Sequence, residues 1–187
     1  LMQLVCLVAM EPPSHFNAEQ VRDEKLRVLR AIRPLSAGDI SRGQYQEYAQ
    51  ELGSPSNTET YVAMKLAIDN WRWAGVPFYI RTGKKLARRA SEIVITFKQR
   101  PHDIFQRNGG GDIDSPPNRL IIRLQPSEGL RLQLISKEPG PGGMRLFPSE
   151  LNLSFGDTFE ARLPDAYERL LICLLYTSDA ADEELRV

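Results

Sequence analysis

Cysteine is scarce in this chain, and the two residues present fit no framework. Cys6 and Cys173 among 187 residues are too few for a disulfide scaffold or a metal motif. Lysine and arginine together number 24, as do aspartate and glutamate, so the formal net charge is zero. A balanced charge provides no global basic field for nucleic acid and no acidic tail. We therefore expect a reducing, cytoplasmic setting and no nucleic-acid partner.

Long apolar runs are missing as well. The most apolar stretch, residues 1–10, is far shorter than the ~20 residues that a membrane-spanning helix needs. It also lacks the preceding basic segment of a signal peptide. Because Pro12 and Pro13 follow it, this stretch is better interpreted as the end of a buried helix. No membrane partner is expected.

Histidine is equally scarce, and neither residue has a setting that suits a catalytic base. His15 lies in a proline-rich turn, and His102 lies in a loop beside Asp103. Adjacent residues on an extended chain point in opposite directions, so Asp103 is badly placed to polarise His102. We expect both histidines to be structural or surface residues, and we assign no catalytic residue to this chain.

Glycine is present, but not in a nucleotide-binding pattern. A dinucleotide fold needs Gly-x-Gly-x-x-Gly between a strand and a helix, and no glycine group here has that context. Gly83 and Lys84 do not begin a phosphate loop, because Lys85 stands where a Ser or Thr would bind magnesium. The residues therefore predict no cofactor-binding and no metal-binding site in the chain.

The spacing of the apolar residues predicts an α+β fold. Asn17 can cap a helix, with Gln20 completing a capping box, and apolar residues then recur at helical spacing until Pro34. Residues 35–57 are polar and predict a long connection with at most one short helix. Five later segments alternate with period two, which predicts a large, mostly antiparallel sheet with helices on one face. The alternating residues are Val62, Met64, Leu66 and Ile68; Ile93, Ile95 and Phe97; Leu120, Ile122 and Leu124; Leu130, Leu132 and Leu134; and Leu151, Leu153 and Phe155.

A basic cluster follows one predicted strand. The apolar run 78–80 is followed by Gly83, which would let the backbone turn without a Cβ clash, and then by Lys84. Arg88 and Arg89 come soon after. Cations held at a strand end suit an anion such as a sugar phosphate, because charge-assisted hydrogen bonds to phosphate are strong. A solvated basic turn is the alternative interpretation.

Several motifs in this chain carry a resemblance to one enzyme family. Residues 69–86 read Asp-Asn-Trp-Arg-Trp-Ala-Gly-Val-Pro-Phe-Tyr-Ile-Arg-Thr-Gly-Lys-Lys-Leu and closely resemble the C-terminal β+α domain of glucose-6-phosphate dehydrogenase, bacterial type. Further matching segments occur in the family's order, and the set covers nearly the whole chain up to Ile172. They are residues 7–13, 21–25, 42–45, 118–126 and 163–170.

The resemblance implies an oxidoreductase that converts glucose 6-phosphate and NADP to 6-phosphogluconolactone and NADPH. In the family, NADP is bound mainly by an N-terminal domain, and the catalytic histidine directly precedes the leucine that aligns with Leu1. We therefore expect a fragment that lacks both and is inactive alone. The resemblance assigns Lys84 and Arg89 to contacts with glucose 6-phosphate. A compact ammonium and a planar guanidinium both suit phosphate or hydroxyl oxygens.

Some family members bind a second, structural NADP through this domain. Ala90, Val94 and Leu130 occupy places where those members use polar or basic groups, although Arg123 matches. This departure argues against a structural NADP site here.

The resemblance also implies a homodimer or a dimer of dimers, formed through the large sheet. The second face of the predicted sheet carries Tyr61, Val94, Ile121 and Ile135, and a partly apolar face must meet another surface. A face covered by the chain's own loops is the alternative.

We expect a family domain at residues 1–172, truncated at both ends, and a non-native tail at residues 173–187. The tail breaks the preceding helical pattern. Back-translated, it fits a transposase-type sequencing adapter read in frame, so it is excluded from the fold.

A second function class remains open at this point. The basic cluster at residues 81–89 could instead bind phosphate-bearing partners in a non-catalytic interaction module. Zero net charge and the lack of interleaved exposed aromatic residues argue against nucleic acid as such a partner.

Overall fold

The structure is a computed structural model that describes residues 1–99, 116–140 and 146–159. The chain divides into two compact units, Leu1–Arg88 and Arg89–Val187. His102, the family segment 163–170, the boundary at residue 172 and the tail 173–187 lie outside the described residues, so the expectations about them stay predictions.

Two helices open the first unit. Helix α1 spans Met2–Ala9 and ends before the two prolines, as predicted. Helix α2 spans Ala18–Ala31, and the side chain of its N-cap residue, Asn17, accepts a hydrogen bond from the backbone of Gln20. The predicted capping box is only half formed, because the Gln20 side chain accepts from the backbone N–H of His15 at 2.6 Å instead. The Gln20 side chain therefore fixes the turn before the helix, and His15 itself is exposed.

A three-stranded antiparallel sheet completes the first unit. Its strands, in sheet order, are β1 (Ile40–Gly43), β2 (Tyr61–Ala67) and β3 (Pro77–Gly83). A 3₁₀ turn over Ala37–Asp39 precedes β1, and helix α3 (Tyr48–Leu52) follows it. The short helix was predicted in this connection, but β1 was missed. Four residues with Ser and Arg at their centre carry no alternation that would predict a strand.

The core of the first unit lies between α1, α2 and one face of this sheet. Cys6, Leu66 and Ile68 are the largest side chains that are almost fully buried, and Val28 from α2 is 3% exposed. Burial raises the pKa of the Cys6 thiol. Helices on one face of an antiparallel sheet were predicted, and this unit has that arrangement.

The second unit contains a four-stranded antiparallel sheet in consecutive order. Its strands are β4 (Ser91–Thr96), β5 (Arg119–Gln125), β6 (Gly129–Lys137) and β7 (Leu146–Ser154), followed by helix α4 (Phe155–Phe159). The α+β class with antiparallel strands is confirmed, but the single large sheet is not what the described residues form. Alternation predicts which residues share a face of a strand, and it does not say which strands pair into one sheet.

Within the described ranges, no helix is long and apolar enough to cross a membrane. The same residues contain no group of three histidine, cysteine, aspartate or glutamate side chains that could hold a metal ion.

Candidate functional site

The tryptophan-rich loop between β2 and β3 fastens the sheet to helix α1. The indole N–H of Trp73 donates to the carbonyl oxygen of Ala9 at 2.9 Å, and its ring packs edge-to-face on Phe78 with centroids 5.0 Å apart. The Asn70 side chain accepts from the backbone of Trp73 at 2.8 Å. This part of the family segment therefore has a structural role.

Two ion pairs reinforce the same region. Arg72 pairs with Glu11 at 2.6 Å, just beyond the end of α1. Arg33, after α2, donates two hydrogen bonds to Asp69, at 3.0 and 2.6 Å. The Arg33 guanidinium lowers the pKa of the Asp69 carboxyl. Both helices are thus tied to the loop that follows β2, and β3 starts from a fixed point.

Gly83 ends β3 and lies against Tyr61, its cross-strand partner. A Cβ at Gly83 would lie 2.8 Å from the Tyr61 ring and 3.3 Å from the carbonyl oxygen of Thr60. The prediction that glycine avoids a Cβ clash here is correct. The clash would come from the close approach of Tyr61 and Thr60, and not from the backbone conformation of a tight turn. The left-handed backbone of the turn belongs to Lys85, whose φ is 50°.

Thr60 joins three segments at this end of the sheet, and it is 9% exposed. Its backbone N–H donates to Gly43 at 2.9 Å, and its carbonyl oxygen accepts from the backbone of Lys84 at 2.8 Å. Its hydroxyl oxygen accepts from the backbone of Tyr45 at 3.0 Å. The ends of β1 and β3 are thereby held to the start of β2, and the backbone of Lys84 is fixed.

Lys85 is tied to helix α3. Its ammonium forms an ion pair with Glu51 and lies 4.6 Å from the ring centroid of Tyr45. The Tyr45 hydroxyl donates to the other Glu51 oxygen at 2.7 Å. Hydrogen bonding to Glu51 raises the pKa of Lys85 and of Tyr45, and the hydrogen bonds from Lys85 and Tyr45 lower the pKa of Glu51. A left-handed conformation costs a non-glycine residue roughly 1–2 kcal/mol, so these contacts oppose a real strain at Lys85.

Lys84 differs from its neighbour in charge balance. Its side chain is exposed and forms no ion pair with any described residue. Because Glu51 balances Lys85, the net positive charge at this turn lies on Lys84. The arrangement presents one ammonium on a fixed backbone, which is suited to a compact anion.

Arg89 is the first residue of the second unit, two residues before β4, and its side chain is exposed. Both residues assigned from the sequence are therefore accessible, Lys84 after β3 and Arg89 before β4. Arg88, which precedes it, has an interaction of its own.

Sequence reasoning missed Tyr45, Glu51 and Thr60. Residues 42–45 were recognised as a family match, but no role was attached to them. No local pattern could have paired Glu51 with Lys85, because they are 34 residues apart and meet only when the connection after β1 folds back.

The described strands do not form the fold of a typical dinucleotide-binding domain. All their paired strands are antiparallel, whereas dinucleotide sites use a parallel strand–helix–strand unit. On the second sheet, Arg123, the one basic residue that matched the structural NADP site, donates to Asn152 at 2.9 Å through one of its terminal nitrogens.

The second sheet also carries a cleft of ≈ 260 Å³. It is lined by polar and apolar residues of β5, β6 and β7 that include Arg119, Gln133 and Glu150, and neither Lys84 nor Arg89 lines it. The cleft is therefore distinct from the predicted phosphate contacts.

Comparisons with known proteins agree with the resemblance. A family model described as "Glucose-6-phosphate dehydrogenase, C-terminal domain" matches residues 1–181. A glucose-6-phosphate 1-dehydrogenase of Rhizobium meliloti is 54% identical over 187 residues, covering 92% of this chain and 38% of the relative. One from Mycolicibacterium smegmatis is 52% identical, covering 92% of this chain and 37% of the relative. The chain thus spans well under half the length of these curated relatives.

Solved structures give the same result for the fold. A glucose-6-phosphate 1-dehydrogenase from Mycobacterium avium matches with a TM-score of 0.77 and 38% identity, covering 91% of this chain and 36% of that chain. A glucose-6-phosphate dehydrogenase in complex with its substrate glucose-6-phosphate matches with a TM-score of 0.80 and 34% identity, also covering 91% and 36%. The resemblance drawn from the motifs is confirmed, and the chain belongs to the glucose-6-phosphate dehydrogenase family, whose C-terminal domain it matches.

Proposed function

We propose that the protein carrying this chain oxidises glucose 6-phosphate to 6-phosphogluconolactone, with NADP as the hydride acceptor, in the cytoplasm. The family and the names of its relatives support the reaction. The related structure that holds glucose 6-phosphate supports the substrate. This chain contributes substrate contacts and a subunit interface, and it has no activity alone.

The observation that carries the substrate assignment is the difference between two adjacent lysines. Lys85 is engaged by Glu51, while Lys84 is exposed on a backbone that Thr60 fixes. A single ammonium provides a charge that suits the 6-phosphate of the sugar, and the family resemblance assigns Arg89 to the same substrate. The interaction-module alternative is weakened, because pairing with Glu51 removes one cation from the basic cluster at residues 81–89.

NADP belongs mainly to residues outside this chain in this proposal. The described strands form no parallel strand–helix–strand unit that would hold it, and the side chains of this chain act on the sugar phosphate. Their role is to bind and orient it so that its C1 hydroxyl faces the rest of the catalytic site.

The proposed assembly is a homodimer, or a dimer of dimers, formed through the mixed face of the second sheet. Val94 is 48% exposed there, and Ile121 and Ile135 are half-buried on the same face. Tyr61 was grouped with them, but it lies in the three-stranded sheet against Gly83. Val94→Asp is therefore a cleaner interface probe than a change at Tyr61.

A chimera tests the function. Residues 1–172 of this chain would replace the matching segment of the Rhizobium meliloti enzyme, with the isolated chain assayed beside it. We expect glucose-6-phosphate-dependent NADPH formation by the chimera and none by the isolated chain.

In the chimera, Lys84→Ala and Arg89→Ala should each raise KM for glucose 6-phosphate. A lost hydrogen bond between charged groups costs about 1.5–3 kcal/mol, which corresponds to roughly ten- to over a hundredfold in binding. KM for NADP should change little. Lys98→Ala removes an exposed lysine from the second unit and is the matched control. A KM for glucose 6-phosphate that is unchanged by Lys84→Ala, or raised equally by Lys98→Ala, would refute the site.

A further inference from the structure

We propose that Glu51 is a positioning residue for the substrate: together with Tyr45 it holds Lys85, and thereby directs the neighbouring Lys84 toward the phosphate. The inference rests on the proposed function, since it needs Lys84 to contact the sugar phosphate. Glu51 itself would not touch the substrate.

The first argument is mechanical. Lys84 and Lys85 share a turn whose backbone is fixed on one side by the hydrogen bond from Lys84 to Thr60, at 2.8 Å. On the other side, the chain passes through the left-handed conformation of Lys85. That conformation is disfavoured for lysine and persists only where surrounding contacts impose it. The Lys85 side chain has such contacts with Glu51 and Tyr45.

The second argument concerns what holds Glu51 in place. Its two carboxylate oxygens are used separately, one by Lys85 and the other by the Tyr45 hydroxyl at 2.7 Å. Tyr45 is fixed in turn through its backbone hydrogen bond to Thr60 and by edge-to-face packing on Tyr48, with centroids 5.4 Å apart. Thr60 therefore supports both Lys84 and the ring that flanks Lys85. These contacts therefore form one connected network around the turn that carries Lys84 and Lys85.

The third argument is electrostatic. A charge effect and a positioning effect of Glu51 predict opposite changes in phosphate binding when Glu51 is removed. Glu51 is a negative charge close to a proposed phosphate site, so a field effect alone would weaken phosphate binding. If charge were all that mattered, removing Glu51 would improve binding of the anion. If position matters, removing Glu51 would harm it, because Lys85 would be released and Lys84 would lose its fixed direction.

Glu51→Gln in the chimera is the central experiment. We expect KM for glucose 6-phosphate to rise about three- to tenfold, with KM for NADP unchanged. Glu47→Gln is the matched control, because Glu47 is the N-cap residue of the same helix, is exposed and makes no capping hydrogen bond. Glu47→Gln also removes a negative charge near Lys85, but it breaks no contact that holds Lys85 in place. KM for glucose 6-phosphate should therefore stay level or fall.

A double-mutant cycle with Lys84 separates positioning from general damage. If Glu51 acts through Lys84, the double variant Lys84→Ala, Glu51→Gln should have nearly the same KM as Lys84→Ala alone. Lys85→Arg retains a cation for Glu51 and should keep KM within about twofold, whereas Lys85→Met should raise it as Glu51→Gln does.

The results that would refute the positioning role differ from those that would refute the proposed function. A fall in KM with Glu51→Gln, or fully additive losses in the cycle, would overturn the positioning role while Lys84→Ala still raised KM. If Lys84→Ala had no effect, the substrate site itself would be wrong, and the positioning role would fall with it.

Discussion

The two sheets of this chain are built from similar antiparallel strands, but they differ in how their apolar residues are covered. In the first unit, α1 and α2 pack on the three-stranded sheet, and Leu66 and Ile68 are 2% and 1% exposed. In the second unit, Leu151 and Phe147 of β7 are 62% and 63% exposed. No described apolar side chain of that sheet reaches the burial of Leu66.

The difference matters for function. A turn can direct one lysine only if the strands beneath it are rigid, and the first unit provides that support through its own core and through the Trp73 contact with α1. On the mixed face of the second sheet, Val94 is 48% exposed, and exposed apolar surface of this kind requires another covering surface. In the function proposed above, positioning therefore belongs to the first unit and association to the second.

The largest expected effect comes from breaking the core of the first sheet. Leu66→Ala should lower the free energy of unfolding of the chain by about 2–5 kcal/mol, because a large buried side chain leaves a cavity. Leu151→Ala removes the same atoms from an exposed site and should change stability by less than about 0.5 kcal/mol. Urea denaturation followed by far-UV circular dichroism measures both, since the two tryptophans, Trp71 and Trp73, lie in the first unit and would not report on the second. A cost at Leu151 that matches the cost at Leu66 would mean that its face is covered in solution, and the contrast would fail.

Glycines facing a neighbouring strand provide the second comparison. A Cβ at Gly129 would lie 2.4 Å from the carbonyl oxygen of Leu153 and 2.7 Å from the Arg123 guanidinium. A Cβ at Gly83 would lie 2.8 Å from a tyrosine ring, which can move, and its nearest backbone atom would be the Thr60 carbonyl oxygen at 3.3 Å, a milder approach than 2.4 Å. Gly129→Ala should therefore cost about 1–3 kcal/mol, and Gly83→Ala less.

Gly38→Ala is the control for this pair, since its Cβ would meet only the Ser36 hydroxyl at 3.8 Å. It should leave the denaturation midpoint nearly unchanged. If Gly83→Ala cost more than Gly129→Ala, the tyrosine side of the first sheet would be the more rigid environment.

Local features of this fold could be predicted from the sequence. The Asn17 cap, the helix end before Pro12 and the alternation around Leu66 depend on residues close together in the chain, so short-range patterns suffice. Lys84 and Arg89 came from the family motif, because an exposed cation carries no pattern that distinguishes it from a solvated one.

The missed features depend on long-range contacts. Strand β1 is held by pairing with β2, and the Glu51 contact with Lys85 forms only once the segment between β1 and β2 has folded. The separation into two sheets is likewise a matter of which strands pair. Alternation is the same in one sheet or two, so sequence periodicity could not distinguish them.

The smallest expected effect concerns pH and again belongs to the first unit, where Asp69 joins the loop after β2 to Arg33. The Arg33 hydrogen bonds lower the pKa of the Asp69 carboxyl in the folded state. A lowered folded pKa contributes stability above the ordinary pKa of an aspartate, about 3.9, and that contribution is lost as pH falls through the folded pKa. Both side chains are largely exposed, so the contribution is screened and small. Asp69→Asn should therefore lower the thermal midpoint slightly at pH 6, and the difference from the parent chain should shrink as the pH is brought below 3.9. If the difference persisted unchanged at low pH, Asp69 would act through its shape and hydrogen bonds, and the ion pair with Arg33 would add nothing to the anchoring of this sheet.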